Sequence, residues 1–439
     1  MTRKVTLNLN PEIRPKAAEY FVEAIAAAQH ANPYKIMSYG GAVRGGKTFT
    51  SLAILIRLCY LFPESRWHII REDFPKFEST TIPSLNKILN GSNNWHISRK
   101  SSNFYYQNKQ TGGTIFLKAE NIKIDPNLDW MQGLETNGIL LEQAEELSEK
   151  TFNKALERTG SWYLPKMPRG MIFLTFNPTQ KKFIKENIYL KWLNGELPGE
   201  YYFMQALPKD NPDVTDDQYA GWGMMAERYQ KQFVEGDWSD FDGEDGRWLF
   251  AFNAKKNVGS VTWNPKAITY LSFDFNRSPI VCSAWQIIDN VIYGIRVIKL
   301  KDATIYRLCE EIDKHFHGGY FFVTGDYSGG TLTTMSEIHN FDVIKNYFNL
   351  SKSQIQVSIN PRLEDSRMLC NSVLEKMPMI VDSENCKAFI DDANNCKAAP
   401  DNTIVKKNRQ KEAEQADTLD TFRYFIHRSF REITKIFQK

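Results

Sequence analysis

The stretch GGAVRGGKT, residues 40–48, decides the fold class that this chain is expected to adopt. From Gly41 it matches the pattern G-x-x-x-x-G-K-[ST], in which a glycine-rich loop cradles phosphate groups. Residues 34–39 before it read as a short strand, and residues 48–61 after it are apolar and free of glycine and proline, as in a buried helix. A turn without a ligand is the alternative, but the complete pattern with both flanks favours a nucleotide-binding α/β domain.

Each residue type in this loop has an expected role. The glycines, Gly41, Gly45 and Gly46, let backbone N–H groups turn inward around a phosphate, and the helix that follows adds its positive end. Lys47 would reach the β- and γ-phosphates, and the Thr48 hydroxyl would hold Mg²⁺. The loop therefore predicts a site for a nucleoside triphosphate with Mg²⁺.

Two later strands end in polar residues that could complete this site. In TNGILLEQAEE, residues 136–146, an apolar strand ends in acid, as in a Walker B segment, and we assign Glu142 to the Mg²⁺. The uniformly apolar strand at 171–178 ends in Thr175 and Asn177, where catalytic residues gather on an open parallel sheet. Strands that end in glutamate are common, and Asn-Pro also makes ordinary turns.

Composition bounds the function classes. A chain of 439 residues suits two or three domains, and 42% hydrophobic with 24% charged residues is typical of a soluble globular protein. The net charge of +3 means that any nucleic-acid surface must be a local patch. The sequence lacks a membrane span and the apolar core of a signal peptide, and its six cysteines form no C-x-x-C pair, so we expect reduced thiols and no export.

The second half begins again as a β-rich domain after the acidic, glycine-bearing stretch 236–246. We expect a first domain over 1–235, a linker over 236–264 and a second domain over 265–439. Its expected strands are 267–275, 281–288, 291–300, 320–326 and 355–359. Its expected helices are 303–315, 363–377, 386–395 and 411–430.

Two of these strands end in a single aspartate, Asp274 and Asp326, and the last helix carries Asp417 and Asp420. Three carboxylates that meet at a sheet edge could hold two divalent ions, which can activate water and stabilise the leaving oxygen of a phosphodiester. All-oxygen ligation suits Mg²⁺ or Mn²⁺. Each aspartate by itself could equally be a turn or cap residue.

Taken together, the motifs resemble the large terminase subunit of tailed bacteriophages, from about residue 31 to residue 428. They are the loop at 40–48, GILLEQAEEL at 138–147, LTFNP at 174–178, DNP at 210–212, SFDFN at 272–276, TGDYSG at 324–329 and DTLDTFRY at 417–424. The resemblance implies a RecA-like P-loop ATPase domain with a mainly parallel sheet, followed by an RNase H-like α/β nuclease domain. It also implies a DNA-packaging motor that translocates double-stranded DNA into the procapsid and cuts concatemeric DNA.

The same resemblance implies partners and site residues. The partners would be double-stranded DNA, the portal protein, the small terminase subunit and further copies in a ring, in the cytoplasm of the infected host and transiently at the procapsid portal. By position, Lys47 and Thr48 would bind ATP-Mg²⁺, Glu142 would be the Walker B acid, and Thr175 and Asn177 would lie in the segment that couples hydrolysis to movement. Asp274, Asp326 and Asp420 would form the nuclease metal cluster, with Asp420 preferred to Asp417.

Two positions depart from the family pattern. Gln143 occupies the place of the glutamate that usually orients the attacking water, and it can orient water but cannot take its proton. Glu145 or Glu146 could substitute for that glutamate. Arg44 stands three residues before Lys47, where many relatives have the loop arginine four before it, so its role as a charge-stabilising catalytic residue is open.

Two other functions are compatible with parts of the sequence. A P-loop helicase or translocase whose C-terminal half only binds a partner would lack metal-dependent cleavage. A structural docking protein with a decayed site would lack ATPase activity, and the intact Gly46-Lys47-Thr48 argues against it.

Overall fold

The structure is a computed structural model, and it describes residues 9–100, 103–239, 246–276, 278–327, 339–399, 402–405 and 416–430. The chain divides into two compact units, one of residues 1–215 with 231–239 and one of residues 216–230 with 240–439. The sequence-based boundaries at 235 and 264 stay predictions.

Within the described residues, the first unit contains an eight-stranded sheet. Its strands are β1 (Ile36–Gly41), β2 (Arg66–Arg71), β3 (Trp95–Lys100), β4 (Asn103–Asn108), β5 (Thr114–Ala119), β6 (Gly138–Leu141), β7 (Met171–Phe176) and β8 (Tyr201–Ala206). Their order is β3-β4-β5-β2-β6-β7-β1-β8. The six strands from β5 to β8 in this order pair in parallel, and the β3–β4 hairpin adds antiparallel strands at one edge. The pattern at 94–118 predicts one hairpin, whereas the structure has three strands there.

Helices connect and cover this sheet. They are α1 (Pro15–Ala28), α2 (Lys47–Leu61), α3 (Phe74–Lys76), α4 (Ile82–Leu89), α5 (Glu149–Arg158), α6 (Lys182–Ile184) and α7 (Lys191–Leu193). π-Helical turns at Phe77–Thr81 and Lys185–Leu190 join α3 to α4 and α6 to α7, and 3₁₀ turns lie at Asp129–Met131 and Pro208–Asp210.

The central strands are buried on both faces. Along β6, Ile139 and Leu141 belong to one apolar cluster and Leu140 to another, as expected when successive side chains of a strand point to opposite faces. Every residue of β1, β6 and β7 is buried, which explains why these segments read as continuous apolar runs. Because the three strands are parallel, their carboxyl ends lie at one edge of the sheet, and the polar residues that follow them are brought together there.

The second unit contains a six-stranded sheet among its described residues. Its strands are β9 (Val258–Gly259), β10 (Thr269–Asp274), β11 (Ile280–Ile288), β12 (Val291–Leu300), β13 (Phe321–Gly325) and β14 (Met379–Asp382), in the order β13-β10-β11-β12-β14-β9. β10, β11 and β12 form an antiparallel meander, and β13 pairs in parallel with β10. The remaining helices are α8 (Asp216–Trp222), α9 (Glu227–Phe233), α10 (Ala254–Asn257), α11 (Ile305–Phe316), α12 (Asn340–Tyr347), α13 (Leu363–Lys376), α14 (Lys387–Asn395) and α15 (Asp417–Ser429), with a 3₁₀ turn at Lys352–Gln354.

The strand expected at 355–359 is wrong. Only Ile355 forms a bridge, to Val323 of β13, and Ile355 and Val357 pack against an apolar cluster without continuing the ladder. The short strand β14 was not expected. The helix expected over 411–430 is described from Asp417, and residues 411–415 lie outside the described residues.

Two expectations from composition can be compared with the described residues. All six cysteines are buried and unpaired, as the reduced-thiol expectation requires. Among the described residues, the structure has no helix that is both long and apolar enough to cross a membrane.

Candidate active sites

The phosphate-binding motif forms the turn between β1 and α2, and its glycines are required by close packing. Gly46 has a φ of 79° and immediately precedes α2, a conformation that glycine adopts without strain. A Cβ at Gly45 would lie 2.7 Å from the Cβ of Ala206, and a Cβ at Gly41 would lie 2.4 Å from the Ala206 carbonyl oxygen. The loop is therefore held against the end of β8, and the first amide groups of α2, which have no partner within the helix, are available to an anion.

Lys47 lies at the centre of the loop. Its Nζ donates hydrogen bonds to the Gly41 carbonyl oxygen at 3.1 Å, to the Ala42 carbonyl oxygen, and to Asn177 Oδ1 at 3.0 Å. Burial lowers the pKa of Lys47 to about 8, although the charge of Glu145 opposes this shift. The ammonium group is thus inside the turn that the motif assigns to phosphate.

Glu142 directly follows β6 and is buried. Its carboxylate accepts hydrogen bonds from the hydroxyl groups of Thr81 and Thr48. Burial raises the pKa of Glu142, while Arg71 and the two hydroxyl groups act in the opposite direction. The structure thus brings together Thr48 and Glu142, the two residues expected to share Mg²⁺; that role stays a prediction.

The turn that follows Glu142 is held by Thr175 of β7. Gln143 has a φ of 51°, and its backbone N–H donates to Thr175 Oγ1 at 3.1 Å. The N–H of Ala144 donates to the Thr175 carbonyl oxygen at 2.8 Å. Thr175 therefore supports the left-handed turn that separates Glu142 from Glu145.

Asn177 bridges the lysine and the second glutamate. Its Oδ1 accepts from Lys47 and its Nδ2 donates to Glu145 Oε1 at 2.7 Å. Burial and the neighbouring charge of Glu146 raise the pKa of Glu145 to about 7. The other oxygen, Glu145 Oε2, is buried and has no hydrogen-bond partner among the described residues. A buried acceptor of this kind is suited to a group that enters with the ligand.

Arg44 is exposed and has a φ of 58°, and its carbonyl oxygen accepts from Asn211 Nδ2 at 2.7 Å. Asn211 belongs to the DNP segment, whose Asp210 forms an ion pair with Lys16 at 2.8 Å. The DNP segment thus ties the loop backbone to the beginning of α1. A catalytic role for the Arg44 side chain stays a prediction.

Sequence reasoning missed a buried basic group beside these acids. Arg71, the last residue of β2, is 2% exposed, and its Nη2 donates to Glu146 Oε2 at 3.2 Å. Lys76 Nζ lies 2.9 Å from Glu146 Oε1. An arginine at the end of an apolar strand beside a Walker B strand was the available signal, but its partner is 75 positions away in the chain.

In the second unit, two of the predicted acids follow neighbouring parallel strands. Asp274 ends β10, and Asp326 follows β13 and donates its N–H to the Phe273 carbonyl oxygen at 2.9 Å. Asp274 is 4% exposed, and its Oδ2 accepts from Asn276 Nδ2 at 2.8 Å. The structure therefore places both residues at the same edge of the sheet, as expected.

The late helix contributes two aspartates to this edge. One oxygen from each of Asp274, Asp417 and Asp420 lies within 4.8 Å of the others, and all three residues are buried. The sequence-based preference for Asp420 over Asp417 therefore does not match the geometry, which brings both to Asp274. The physical reason is that α15 begins at Asp417, so the two residues occupy positions i and i+3 of its first turn and share a face.

Asp326 lies beside this group and is not one of the three converging residues. Its Oδ1 accepts from Asn360 Nδ2 at 2.7 Å. It still contributes to the local field, because burial raises the pKa of Tyr424 and the charges of Asp420, Asp326 and Asp274 add to that shift. Its role as a metal ligand stays a prediction.

Two further residues complete the surroundings of the cluster. Arg423 Nε donates to Asp420 Oδ1 at 2.6 Å, and although burial opposes its charge, the Asp420 carboxylate raises the pKa of Arg423. Asp392 of α14 accepts from the backbone N–H and the hydroxyl of Thr418, and burial raises its pKa to about 6. The three converging carboxylates fit hard divalent cations such as Mg²⁺ or Mn²⁺, because like charges this close repel one another unless a cation separates them.

We compared the chain with known proteins. No protein-family profile matches it, and no curated protein matches it by sequence. A large terminase from a thermophilic bacteriophage superposes with a TM-score of 0.64 at 16% identity, over 94% of this chain and 98% of that chain. The same phage protein in complex with ADP gives the same values, and in complex with ATP-γ-S it gives a TM-score of 0.63 at 16% identity, over 95% and 99% of the two chains.

These values establish the fold over nearly the whole length of both chains. The prediction of a RecA-like P-loop domain followed by an RNase H-like α/β domain is confirmed. The structural likeness expected from the order of the motifs is confirmed as well: this chain has the fold of the large terminase of a tailed bacteriophage.

Proposed function

We propose that this protein is a terminase large subunit, an ATP-driven motor that moves double-stranded DNA into a procapsid and cuts concatemeric DNA. The observation that carries the proposal is that one chain holds both sites, a P-loop in contact with its acid and a cluster of converging aspartates. The fold that it shares with the large terminase of the thermophilic phage supports it.

In the first site, this chain's own residues would bind and orient ATP. The amide groups at the start of α2 and the Lys47 ammonium would hold the phosphates, and the Thr48 hydroxyl with the Glu142 carboxylate would hold Mg²⁺. When bound, Mg²⁺ neutralises charge on the β- and γ-phosphate oxygens. The ADP and ATP-γ-S complexes of the thermophilic phage terminase support the choice of nucleotide.

Glu145 is the group best placed to orient the attacking water. Asn177 holds its Oε1, and its buried Oε2 is an acceptor that a water can fill. Little base catalysis is needed for phosphoryl transfer, so orientation by Glu145 or by the Gln143 amide would suffice. The bond from Asn177 to Lys47 links this water-orienting group to the phosphate-binding lysine.

In the second site, Asp274, Asp417 and Asp420, with Asp326 beside them, would hold Mg²⁺ or Mn²⁺. When bound, a pair of such ions supplies an activated water and stabilises the leaving oxygen of a phosphodiester. Arg423 orients Asp420 through its bond to Oδ1. The substrate is double-stranded DNA, and the expected partners are the portal protein, the small terminase subunit and further copies of this chain in a ring, in the host cytoplasm and at the portal.

A translocase whose second half is a non-catalytic partner-binding domain is the alternative. The convergence of three buried carboxylates disfavours it, because a partner-binding domain gains nothing from clustering buried charges of one sign.

The test is a crossed pair of variants in the full-length chain. We expect Lys47→Ala to abolish DNA-stimulated ATP hydrolysis and retain Mn²⁺-dependent plasmid cleavage, and Asp274→Asn to do the reverse. Lys35→Ala, which removes an exposed lysine paired with Glu200, is the matched control for the first variant. Asp289→Asn, in the exposed turn between β11 and β12, is the control for the second.

The outcomes separate the alternatives. ATP hydrolysis without cleavage under any divalent ion would favour the translocase with a partner-binding domain. Wild-type turnover by Lys47→Ala would remove the assignment of the loop, and cleavage by Asp274→Asn equal to wild type would remove the assignment of the cluster.

A further inference from the structure

The helical segment from residue 74 to residue 89 is interrupted by the π-helical turn Phe77–Thr81. Single π turns within α-helices occur frequently at functional sites, because the extra residue redirects the side chains around it. Here the redirected residues are Thr80 and Thr81, and their hydroxyl groups contact two groups of the candidate ATP site.

Thr81 makes a contact that its helix does not require. A threonine hydroxyl inside a helix commonly donates to the carbonyl oxygen four residues earlier, as Thr80 does to Lys76 at 2.8 Å. The Thr81 hydroxyl instead donates to Glu142 Oε2, and Thr81 is fully buried. This bond fixes the rotation of the carboxylate that the Thr48 hydroxyl also contacts.

The neighbouring hydroxyl contacts the basic group at the other end of the same turn. Arg71 Nη1 donates to Thr80 Oγ1, and Arg71 Nη2 donates to Glu146 Oε2. The π turn is therefore bonded directly to Glu142 and, through Arg71, to Glu146. Consecutive residues of one helical turn thus hold both ends of the acidic segment 142–146.

We propose that Thr81 is a positioning residue for Glu142: its hydroxyl orients the carboxylate for the divalent ion that accompanies the nucleotide. The proposal rests on the function proposed above. A structural role would be different, because a buried carboxylate that needed only a donor would affect folding and not the dependence of nucleotide binding on metal.

The test measures binding of a fluorescent ATP-γ-S analogue to the full-length protein as a function of Mg²⁺ concentration, and separately in EDTA. Thr81→Val keeps the shape of the side chain and removes the hydroxyl. We expect it to raise the Mg²⁺ concentration for half-maximal binding by about tenfold or more, the range for removing groups that orient a metal ligand. Binding in EDTA should not change, because Thr81 contacts no phosphate-binding group.

Two controls separate positioning from packing. Thr136→Val removes another fully buried threonine hydroxyl, which donates to the Gly138 carbonyl oxygen at 2.9 Å and contacts no acid. It should lower the unfolding midpoint without changing the Mg²⁺ dependence. Thr81→Ser keeps the hydroxyl and should behave as wild type, while Thr81→Ala should behave as Thr81→Val; this second pair carries the test if the valine variant does not fold.

Glu142→Gln distinguishes failure of the inference from failure of the proposed function. If Glu142→Gln loses Mg²⁺-dependent binding and Thr81→Val keeps it, the positioning role is overturned and the role of Glu142 stands. If Glu142→Gln also binds with an unchanged Mg²⁺ dependence, the proposed metal role of Glu142 fails, and with it the basis of the inference. A shift that is equal in Thr81→Val and Thr81→Ser overturns the role of the hydroxyl.

Discussion

The two acidic sites of this protein differ in what offsets their negative charge. In the P-loop site, Glu142 accepts from two hydroxyl groups and Glu146 pairs with Arg71 and Lys76. In the cluster of the second unit, oxygens of Asp274, Asp417 and Asp420 converge within 4.8 Å, with Arg423 bonded to Asp420. The first site is balanced largely by the protein's own donors and cations, whereas the second is built to gain its balance from divalent cations.

This difference teaches which residues can be exchanged. Where the protein supplies the compensation, removing one acid breaks a network, and its effect depends on what that acid holds. Where imported cations supply it, removing one acid weakens a shared site, and each member of the cluster should matter. The following predictions use this contrast, from the largest expected effect to the smallest.

The largest effect is expected in the cluster. Asp417→Ala and Asp420→Ala should each lower Mn²⁺-dependent plasmid cleavage by roughly 10²-fold or more, because loss of a metal ligand removes several kcal/mol of transition-state stabilisation. ATP hydrolysis should not change. Asp391→Ala, at an exposed aspartate of α14, is the matched control. Cleavage by Asp417→Ala at the rate of this control would restore the sequence-based preference for Asp420 alone.

Within the P-loop site the acids should be unequal. Glu142→Gln should lower ATP turnover by roughly 10²-fold, because the contact shared with Thr48 loses its charge. Glu145→Gln should lower turnover only a few-fold, on the order of less than tenfold, since an amide oxygen can still orient water. Steady-state phosphate release measures both variants. The reverse ranking would mean that the metal-binding acid is Glu145 and that the register of this segment has been misread.

Divalent cations should stabilise the cluster and thereby the fold. At a Mn²⁺ concentration 100 times its dissociation constant, the wild-type protein should gain about 2.7 kcal/mol against unfolding. Asp417→Asn should lose most of this gain and be more stable than wild type in EDTA, because one repelling charge is gone. Thermal unfolding with Mn²⁺ and with EDTA measures both quantities. Equal gains in the variant and the wild type would place the bound ion elsewhere.

The smallest effect is a pH dependence at Glu145. Its pKa in the folded state is raised from 4.5 to about 7 by burial and by the charge of Glu146. The stability from this carboxyl group is fully present below its unfolded value and is lost as the pH rises through about 7. Between pH 5 and pH 8 the wild-type protein should therefore lose stability relative to Glu145→Gln, on the order of 1 kcal/mol.

Chemical denaturation at the two pH values measures this difference. Glu157→Gln, at an exposed glutamate paired with Lys154, is the control and should show no such trend. A constant difference between wild type and Glu145→Gln across this range would mean that Glu145 keeps an ordinary pKa.

The local motifs predicted most of the fold and the core of the first site. The phosphate loop, the apolar strand before Glu142 and the strand that ends near Asn177 are each contiguous, so the identity of their residues carries the signal. The strand–strand–strand–helix–strand order of the second domain is likewise readable from periodicity. Its expected fifth strand failed because Val357 packs into the core without a neighbouring strand.

What the sequence could not supply are contacts between distant residues and the start of one helix. The bond from Thr81 to Glu142 spans 61 positions, and the π turn that makes it possible has no recognised sequence signal. Asp417 was set aside because the first turn of α15 could not be located from composition; Ala416, with a φ of 55°, precedes it in the left-handed region. Once the helix begins at Asp417, its side chain and that of Asp420 face the same strand end.

The anchoring of the phosphate loop on β8 has a consequence for hydrogen exchange. The Ala42 amide donates to the Ala206 carbonyl oxygen at 2.9 Å, and the Val43 amide donates to the Phe233 carbonyl oxygen at 2.8 Å. These two protons should exchange with solvent only when the loop detaches from its neighbours, whereas the amides from Gly45 to Thr48, at the start of α2, should exchange readily. Nucleotide binding should therefore slow exchange in the second half of the loop and leave the first half unchanged.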